Sequence, residues 1–277
     1  MFKNLMEMLA ERIYPGELYC LCCGKAIDWS RPYGLCDSCM TNMKWATGRL
    51  CKKCGKLLSD NNPEDICYNC RAIAHSFNRG YTCTEYGEVG RAMVYALKYD
   101  EKPAIARSIG EIMADRMLSE FTKEELASRY DLLVPVPVAS QRLATRGYNQ
   151  AALIAEFFAD KTDLPFRGEV MRRCKETTAM KGLTPAERRR NLSGSFALIS
   201  SANGSAFSHA LAEGSALSPA LAGGSAANLV TGASCLIIDD IMTTGATADE
   251  IATVLYSGGA ANVDFLSFAS GADVIKS

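Results

Sequence analysis

The sequence predicts an α/β fold with a mostly parallel sheet, preceded by a small cysteine-rich module. Residues 131–158 and 235–255 predict the sheet, because each reads as a buried apolar strand, a polar loop and a helix. Four Cys-x2-Cys pairs within residues 20–70 predict the module. We therefore expect an N-terminal helix at 1–17, the module at 18–72 and an α/β domain at 73–277. Repeated Gly-Ser-Ala at 200–228 predicts a flexible low-complexity insert in that domain.

The composition favours a globular protein without a membrane or secretion segment. The chain has 277 residues and is 48% apolar, which is enough to fill a core. Its net charge of −1 gives no overall field that would attract nucleic acid or a membrane. Charged residues interrupt the apolar ones at the start of the chain, and no apolar run reaches membrane length. The expected location is the cytoplasm, with no membrane insertion.

The cysteine module is an internal repeat. A shift of 31 residues superposes the first two Cys-x2-Cys pairs on the last two, and twelve residues separate the pairs within each unit. Each unit is long enough to close a tetrahedral site of four sulfurs, which suits zinc, with iron as a soft competitor. Full coordination leaves no position for a catalytic water, so we expect two structural Zn²⁺ ions. The ligands would be Cys20, Cys23, Cys36, Cys39, Cys51, Cys54, Cys67 and Cys70.

The spacing of the cysteines leaves one alternative open. Crossed pairing would place Cys20, Cys23, Cys51 and Cys54 on one ion, but two self-contained repeats favour sequential pairing. Cys22 lies outside the repeat register and is either a spare thiol or a substitute for a neighbour. The cysteines already complete both sites, so His75 is expected beside the module and not on zinc.

After the module, residues 77–86 have the β-branched and aromatic content of a strand. Residues 89–99 and 104–121 place apolar residues at helical spacing. Lys98, near the end of the first of these helices, is either a phosphate ligand or a solvated charge at the helix C-terminus. Residues 262–268 read as a last strand, and Gly258 and Gly259 end the helix before it.

The strand at 131–138 ends in prolines and leads to two arginines, Arg142 and Arg146, before an amphipathic helix. Guanidinium groups bind phosphate oxygens in a fork and stabilise negative charge as it leaves. The segment therefore predicts a pyrophosphate site.

The strand at 235–238 runs into Asp239 and Asp240, then into a loop and a helix from about residue 248. The unpaired N–H groups and the dipole of a helix N-terminus favour a phosphate there. Its ligands would come from Thr243, Thr244, Gly245, Ala246 and Thr247. Two carboxylates would repel a phosphate but suit the hydroxyls of a sugar attached to it. The stretch therefore predicts binding of a ribose phosphate.

Residues 235–247 resemble the thirteen-residue phosphoribosyl pyrophosphate (PRPP) signature of type I phosphoribosyltransferases. Three further motifs make the resemblance more specific: Val-Pro-Val-Pro at 134–137, Arg-x3-Arg-Gly-Tyr-Asn-Gln at 142–150 and Leu-Lys-Tyr at 97–99. Together with the double zinc ribbon they resemble the ComF/GntX family over nearly the whole chain. Residues 172–191 resemble that family's flexible hood, although Met180 stands where the family usually has glutamine.

The resemblance implies a phosphoribosyltransferase-like sheet and displacement of Mg²⁺-bound pyrophosphate from the ribose of PRPP. It assigns the ribose hydroxyls to Asp239 and Asp240, the 5′-phosphate to residues 243–247, and the pyrophosphate to Arg142 and Arg146. Mg²⁺ would be held mainly by oxygens of PRPP. Several family members are tied to the uptake of transforming DNA, so single-stranded DNA and the uptake machinery are candidate partners.

Two functions remain open at this point. The first is a transferase in DNA uptake or nucleotide-related metabolism, whose ribosyl acceptor the sequence does not identify. The second is a PRPP sensor or DNA-binding competence factor without catalysis. Residues 1–80 hold eleven Lys/Arg and eight Asp/Glu, and the two zinc-thiolate sites would cancel that surplus. Charge therefore gives DNA binding by the ribbon little support over a role as a docking module.

Overall fold

A computed structural model describes residues 18–28, 30–99, 103–168, 170–175, 185–199 and 226–274. The expected N-terminal helix, Met180 and most of the predicted insert lie outside these ranges. The last residues assigned to the insert, 226–228, instead begin a short helix, Ala226–Val230.

The described strands are β1 (Gly80–Glu85), β2 (Leu132–Pro135), β3 (Met171–Arg173), β4 (Phe196–Leu198), β5 (Ser234–Met242) and β6 (Asn262–Ser270). Four of them form a parallel sheet in the order β1-β6-β5-β2. The other two, β3 and β4, pair antiparallel as a separate ribbon. A mostly parallel α/β sheet, as the sequence predicts, is confirmed.

The described helices are α1 (Asp37–Asn42), α2 (Tyr68–Ala72), α3 (Glu88–Tyr99), α4 (Pro103–Leu118), α5 (Lys123–Arg129), α6 (Ser140–Arg146), α7 (Gln150–Thr162), α8 (Pro185–Leu192), α9 (Ala226–Val230) and α10 (Ala246–Ser257). Helix α6 occupies a segment that the sequence analysis read as a loop. It ends because Gly147 adopts a left-handed conformation, with φ of 79°. No helix in the described ranges is long and apolar enough to cross a membrane.

The sheet separates two apolar cores, because alternate residues of a strand point to opposite faces. Leu236 and Ile238 pack with α3, α4 and α7 on one side, which we call the α4 face. Cys235 and Ile237 pack with α10 on the other side, which we call the α10 face.

The cysteine module straddles the edge of this sheet. Residues of its first unit, including Cys36 and Met43, belong to the core of the α4 face. Residues of its second unit, including Cys54 and Cys67, belong to the core of the α10 face. The module is too poor in large apolar side chains to build a core alone. In the structure its buried residues instead pack into the two cores on either side of the sheet.

The chain between the two units and the start of the second unit contact the edge strand β1. The Ala46 N–H, between the units, donates to the Cys83 carbonyl at 2.8 Å, and the Gly80 N–H donates to the carbonyl of Lys53 in the second unit at 2.7 Å. The module therefore satisfies backbone groups that an edge strand would otherwise expose.

Candidate functional site

The two predicted carboxylates lie on β5 itself, because the strand continues past them to Met242. Adjacent strand residues point to opposite faces, so Asp239 and Asp240 have different surroundings. Asp240 is 2% exposed, whereas Asp239 is only partly buried. The Asp239 carboxylate accepts the Asp240 N–H at 2.9 Å.

A buried ion pair joins the sheet to α3. The Lys98 ammonium donates to Oδ1 of Asp240 at 3.0 Å and lies 2.9 Å from Oδ2. Burial opposes the lysine charge, but the Asp240 carboxylate outweighs burial and raises the pKa of Lys98. Oδ2 accepts no well-aligned hydrogen bond within the described part of the chain. The Lys98 ammonium therefore holds the Asp240 side chain in place, and Oδ2 has capacity for one further hydrogen bond.

The surroundings of Asp239 favour the protonated form of its carboxyl group. Burial, together with the charge of Asp240, raises the pKa of Asp239 to about 8, against the opposing effect of Lys98 and Arg173. The carboxyl group therefore carries a proton over much of the neutral pH range. It can both donate to and accept from a hydroxyl group.

Residues 243–247, which we call the phosphate loop, connect β5 to α10. Gly245 is the N-cap of α10 with φ of 80° and has no side chain that could cap the helix. The first N–H groups of α10 have no carbonyl partner in the preceding turn of the helix. Thr243 is exposed, Thr244 is 5% exposed and Thr247 is partly buried in the first helical turn. The loop has the local form of an anion site.

Asp249, also in the first turn of α10, would repel an anion if its charge faced the loop. Its carboxylate is instead bound by Nδ1 of His75 at 2.9 Å and by the Ser76 N–H at 2.8 Å. The His75 side chain is 1% exposed. The sequence analysis placed His75 only beside the module, since a single histidine carries no spacing signal.

The second predicted anion segment lies next to the end of α3. The Tyr148 hydroxyl donates to the Leu97 carbonyl at 2.8 Å, which ties the start of α7 to α3. The Arg146 guanidinium lies 5.5 Å from the centre of the Tyr99 ring and donates to Gln150 at 2.9 Å. The structure therefore brings Arg146 to the helix end that carries Lys98.

Arg142 is placed differently. It is exposed on α6, one turn before Arg146. The structure does not bring it against the carboxylates. Arg173 on β3, which the sequence analysis assigned only to the hood, is close enough to lower the pKa of Asp239. Its guanidinium also lies 5.5 Å from the centre of the Phe196 ring.

The cysteines form two separate tetrads with sequential pairing. In each tetrad, Cys20/Cys23/Cys36/Cys39 and Cys51/Cys54/Cys67/Cys70, the four sulfurs lie within 4.8 Å of one another. One Sγ–Sγ distance is 3.7 Å in both, between Cys23 and Cys36 and between Cys54 and Cys67. A tetrahedral zinc with bonds of about 2.3 Å has edges of about 3.8 Å. The two tetrads fit two structural zinc sites, and Cys22 is outside both.

The two units have the same internal geometry. The Cys36 N–H lies 3.4 Å from the Cys20 sulfur, and the Cys67 N–H lies 3.3 Å from the Cys51 sulfur. Gly24 and Gly55 both have φ of 71°. The repeat in the sequence is therefore a repeat in structure.

Comparison with known proteins agrees with this architecture. Residues 9–71 match the family model described as "Double zinc ribbon domain". The chain is 24% identical over 222 residues to Competence protein F of Haemophilus influenzae, covering 80% of this chain and 84% of the relative. It is 25% identical over 231 residues to DNA utilization protein YhgH of Salmonella typhi, covering 83% and 88%. It is 24% identical over 261 residues to Competence protein ComFC of Bacillus subtilis, covering 88% and 91%.

These relatives cover at least 80% of the chain. The protein thus carries an N-terminal double zinc ribbon domain and, over most of its length, is homologous to proteins named for competence and DNA utilization.

Proposed function

We propose that the chain binds PRPP with Mg²⁺ at the carboxyl end of β5 and serves DNA uptake. One observation carries the proposal: two adjacent carboxyl groups, Asp239 and the Lys98-paired Asp240, lead directly into the phosphate loop and the N-terminus of α10. A ribose phosphate needs carboxyl groups for its hydroxyls and N–H groups for its phosphate, and the two must lie side by side. The link to DNA uptake comes from relatives that are named for competence and DNA utilization.

In this proposal the phosphate loop binds the 5′-phosphate through backbone N–H groups and threonine hydroxyls. The partly buried Asp239 exchanges hydrogen bonds with one ribose hydroxyl. Oδ2 of Asp240 is buried in the free chain and would have to become accessible when PRPP binds in order to accept the other. Lys98 neutralises Asp240, so that the incoming phosphate meets less negative charge.

The pyrophosphate would lie toward α6, where Arg146 supplies a guanidinium beside Lys98. Arg142 is one turn away and exposed, so it would have to turn inward when PRPP binds. Mg²⁺ would reduce the charge of the pyrophosphate through oxygens of PRPP, and no described side-chain cluster besides the two cysteine tetrads is arranged to hold a metal.

Two versions of this function are possible with the same site. In a transferase, loss of pyrophosphate leaves positive charge at the ribose C1, which the Asp240 carboxylate would stabilise. In a sensor, the same contacts bind PRPP without turnover.

Calorimetric titration of the whole chain with PRPP and Mg²⁺ tests the proposal. We expect micromolar binding that falls at least tenfold in Asp240→Asn, because a charge-assisted hydrogen bond is lost. Asp160→Asn, at an exposed carboxylate of α7, is the matched control and should bind as the unaltered chain does. Equal affinities in all three proteins, or no binding to any of them, would contradict the proposal.

Release of pyrophosphate from bound PRPP then separates the two versions. A transferase releases it in the presence of its acceptor, so candidate bases and nucleic acids are each added in turn. Tight binding without release under all of these conditions supports the sensor.

A further inference from the structure

We infer that Asn69 of the second zinc unit and His75, which follows that unit in the chain, together position the phosphate loop, so that binding of the 5′-phosphate depends on the second unit and not on the first. The inference rests on the proposed function for its ligand. Its geometry comes from contacts between the ribbon and the loop.

Asn69 connects a zinc site directly to the phosphate loop. It lies on α2, between the ligands Cys67 and Cys70. A helix of five residues is not stable alone, so bonds from its N-cap Cys67 and from Cys70 to a zinc ion would determine where it lies. The Asn69 amide nitrogen donates to the Thr244 carbonyl at 3.1 Å. If the Asn69 amide were flipped, its oxygen would face the Thr244 carbonyl oxygen and repel it. The hydrogen bond therefore determines the orientation of the amide.

His75 forms the floor of the same loop. Its ring stacks on Phe77, with the ring centres 4.8 Å apart, and Nδ1 donates to Asp249 at 2.9 Å. The Asn69 amide nitrogen lies 3.5 Å from Nε2 and can only donate, so Nε2 is the acceptor. A Cβ atom on Gly245 would lie 2.7 Å from the His75 ring. The backbone of the phosphate loop at Gly245 is therefore in direct van der Waals contact with the His75 imidazole.

The first unit makes no corresponding contact with the phosphate loop in the described ranges. The 31-residue shift equates Asn69 with Ser38, and His75 with Lys44. Ser38 is exposed on α1, and Lys44 pairs with Glu85 at 2.7 Å beside β1. The repeat has thus kept its zinc geometry in both units while only the second reaches the loop. It also provides a matched control inside the same chain.

Amide hydrogen exchange tests the positioning role without any ligand. We compare Asn69→Ala, His75→Ala and Ser38→Ala, each first shown to hold two zinc ions per chain. We expect exchange at residues 243–247 to be at least fivefold faster in the first two variants, because the loop loses a hydrogen-bonded support. Ser38→Ala should exchange as the unaltered chain does. Unchanged exchange in both Asn69→Ala and His75→Ala overturns the inference, whether or not PRPP binds.

Titration with PRPP and Mg²⁺ tests the consequence for binding. We expect about fivefold to tenfold weaker binding in Asn69→Ala and at least tenfold weaker binding in His75→Ala. His75→Asn, whose Nδ2 takes the place of the imidazole Nδ1, should recover most of the affinity, and Ser38→Ala should stay within about twofold. Full affinity in Asn69→Ala and His75→Ala contradicts the inference while the proposed function stands. Failure of the unaltered chain to bind PRPP contradicts the proposed function, and the exchange rates still decide the positioning role.

Discussion

At the scale of single residues, Asp239 of the proposed site occupies a position that costs stability. Its carboxyl group is partly buried beside Asp240, and its pKa rises from 3.8 to about 8. The position is therefore unfavourable for a charge in the free protein. A sugar hydroxyl would compensate for that cost only when a ligand is bound.

The raised pKa predicts a specific dependence of stability on pH. Between about pH 4 and pH 8 the folded chain holds a proton on Asp239 that the unfolded chain has released. The free energy of unfolding therefore falls as pH rises through this window. Asp239→Asn should flatten the slope and should be more stable than the unaltered chain at pH 8, because the substitution removes the group that releases a proton on unfolding. Urea unfolding at pH 5, 6.5 and 8 measures it, and identical slopes in the two proteins would show that Asp239 titrates normally.

Gly245 allows a second test at this scale. Its φ of 80° disfavours any side chain, and a Cβ would also meet His75 at 2.7 Å. Gly232 has a similar φ of 76° but open space around it. We expect Gly232→Ala to cost about 1 kcal/mol and Gly245→Ala to cost about 2 to 3 kcal/mol. Thermal unfolding of both variants gives the comparison, and equal losses would mean that His75 yields to the added methyl group.

At the scale of elements, the two zinc units differ in what they touch. Gly55 of the second unit lies so close to β1 that a Cβ would come within 2.6 Å of the Gly80 carbonyl. A Cβ on the equivalent Gly24 of the first unit meets nothing within 4 Å. The second unit is therefore the one built into the sheet at this contact.

Matched cysteine variants test the independence of the units. Cys36 and Cys67 are 31 residues apart and have the same role in their tetrads. Each of Cys36→Ser and Cys67→Ser should lower the zinc content from two ions to one per chain, because the tetrads share no ligand. Elemental analysis of the purified variants measures this. Loss of both ions from either single substitution would contradict separate sites.

At the scale of the whole molecule, the ribbon and the sheet share their cores. Cysteines of the first unit pack on the α4 face and those of the second on the α10 face. The buried carboxylate of Asp273 also accepts two hydrogen bonds from the second unit, from the Tyr68 N–H at 2.9 Å and from the Asn62 side-chain amide at 2.8 Å. The ribbon is thus part of the folded unit that holds the site.

Chelation of zinc should therefore destabilise the entire chain. We expect a strong chelator to lower the midpoint of a single thermal transition by more than 10 °C, since metal binding and folding are coupled. Calorimetry with and without the chelator measures it. Two transitions, with that of the sheet unchanged, would show that the ribbon folds separately.

The sequence predicts those parts of the molecule that depend on local chemistry. The tetrads follow from cysteine spacing, and the two strand-to-helix segments follow from apolar runs that end in polar loops. Contacts between distant segments carry no such signal. Lys98 could be read as a phosphate ligand or as a solvated charge, and its partner Asp240 became evident only once β5 was placed beside α3. His75 and Asn69 gain their roles from the packing of the ribbon on α10, which no periodicity encodes.

Amide exchange of the whole chain with PRPP and Mg²⁺ present tests the central claim most directly, because it shows where the ligand lies. We predict that PRPP slows exchange at residues 239–248 at least tenfold, and that Asp240→Asn abolishes the effect at the same ligand concentration. Binding of PRPP that leaves exchange at residues 239–248 unchanged would contradict the account.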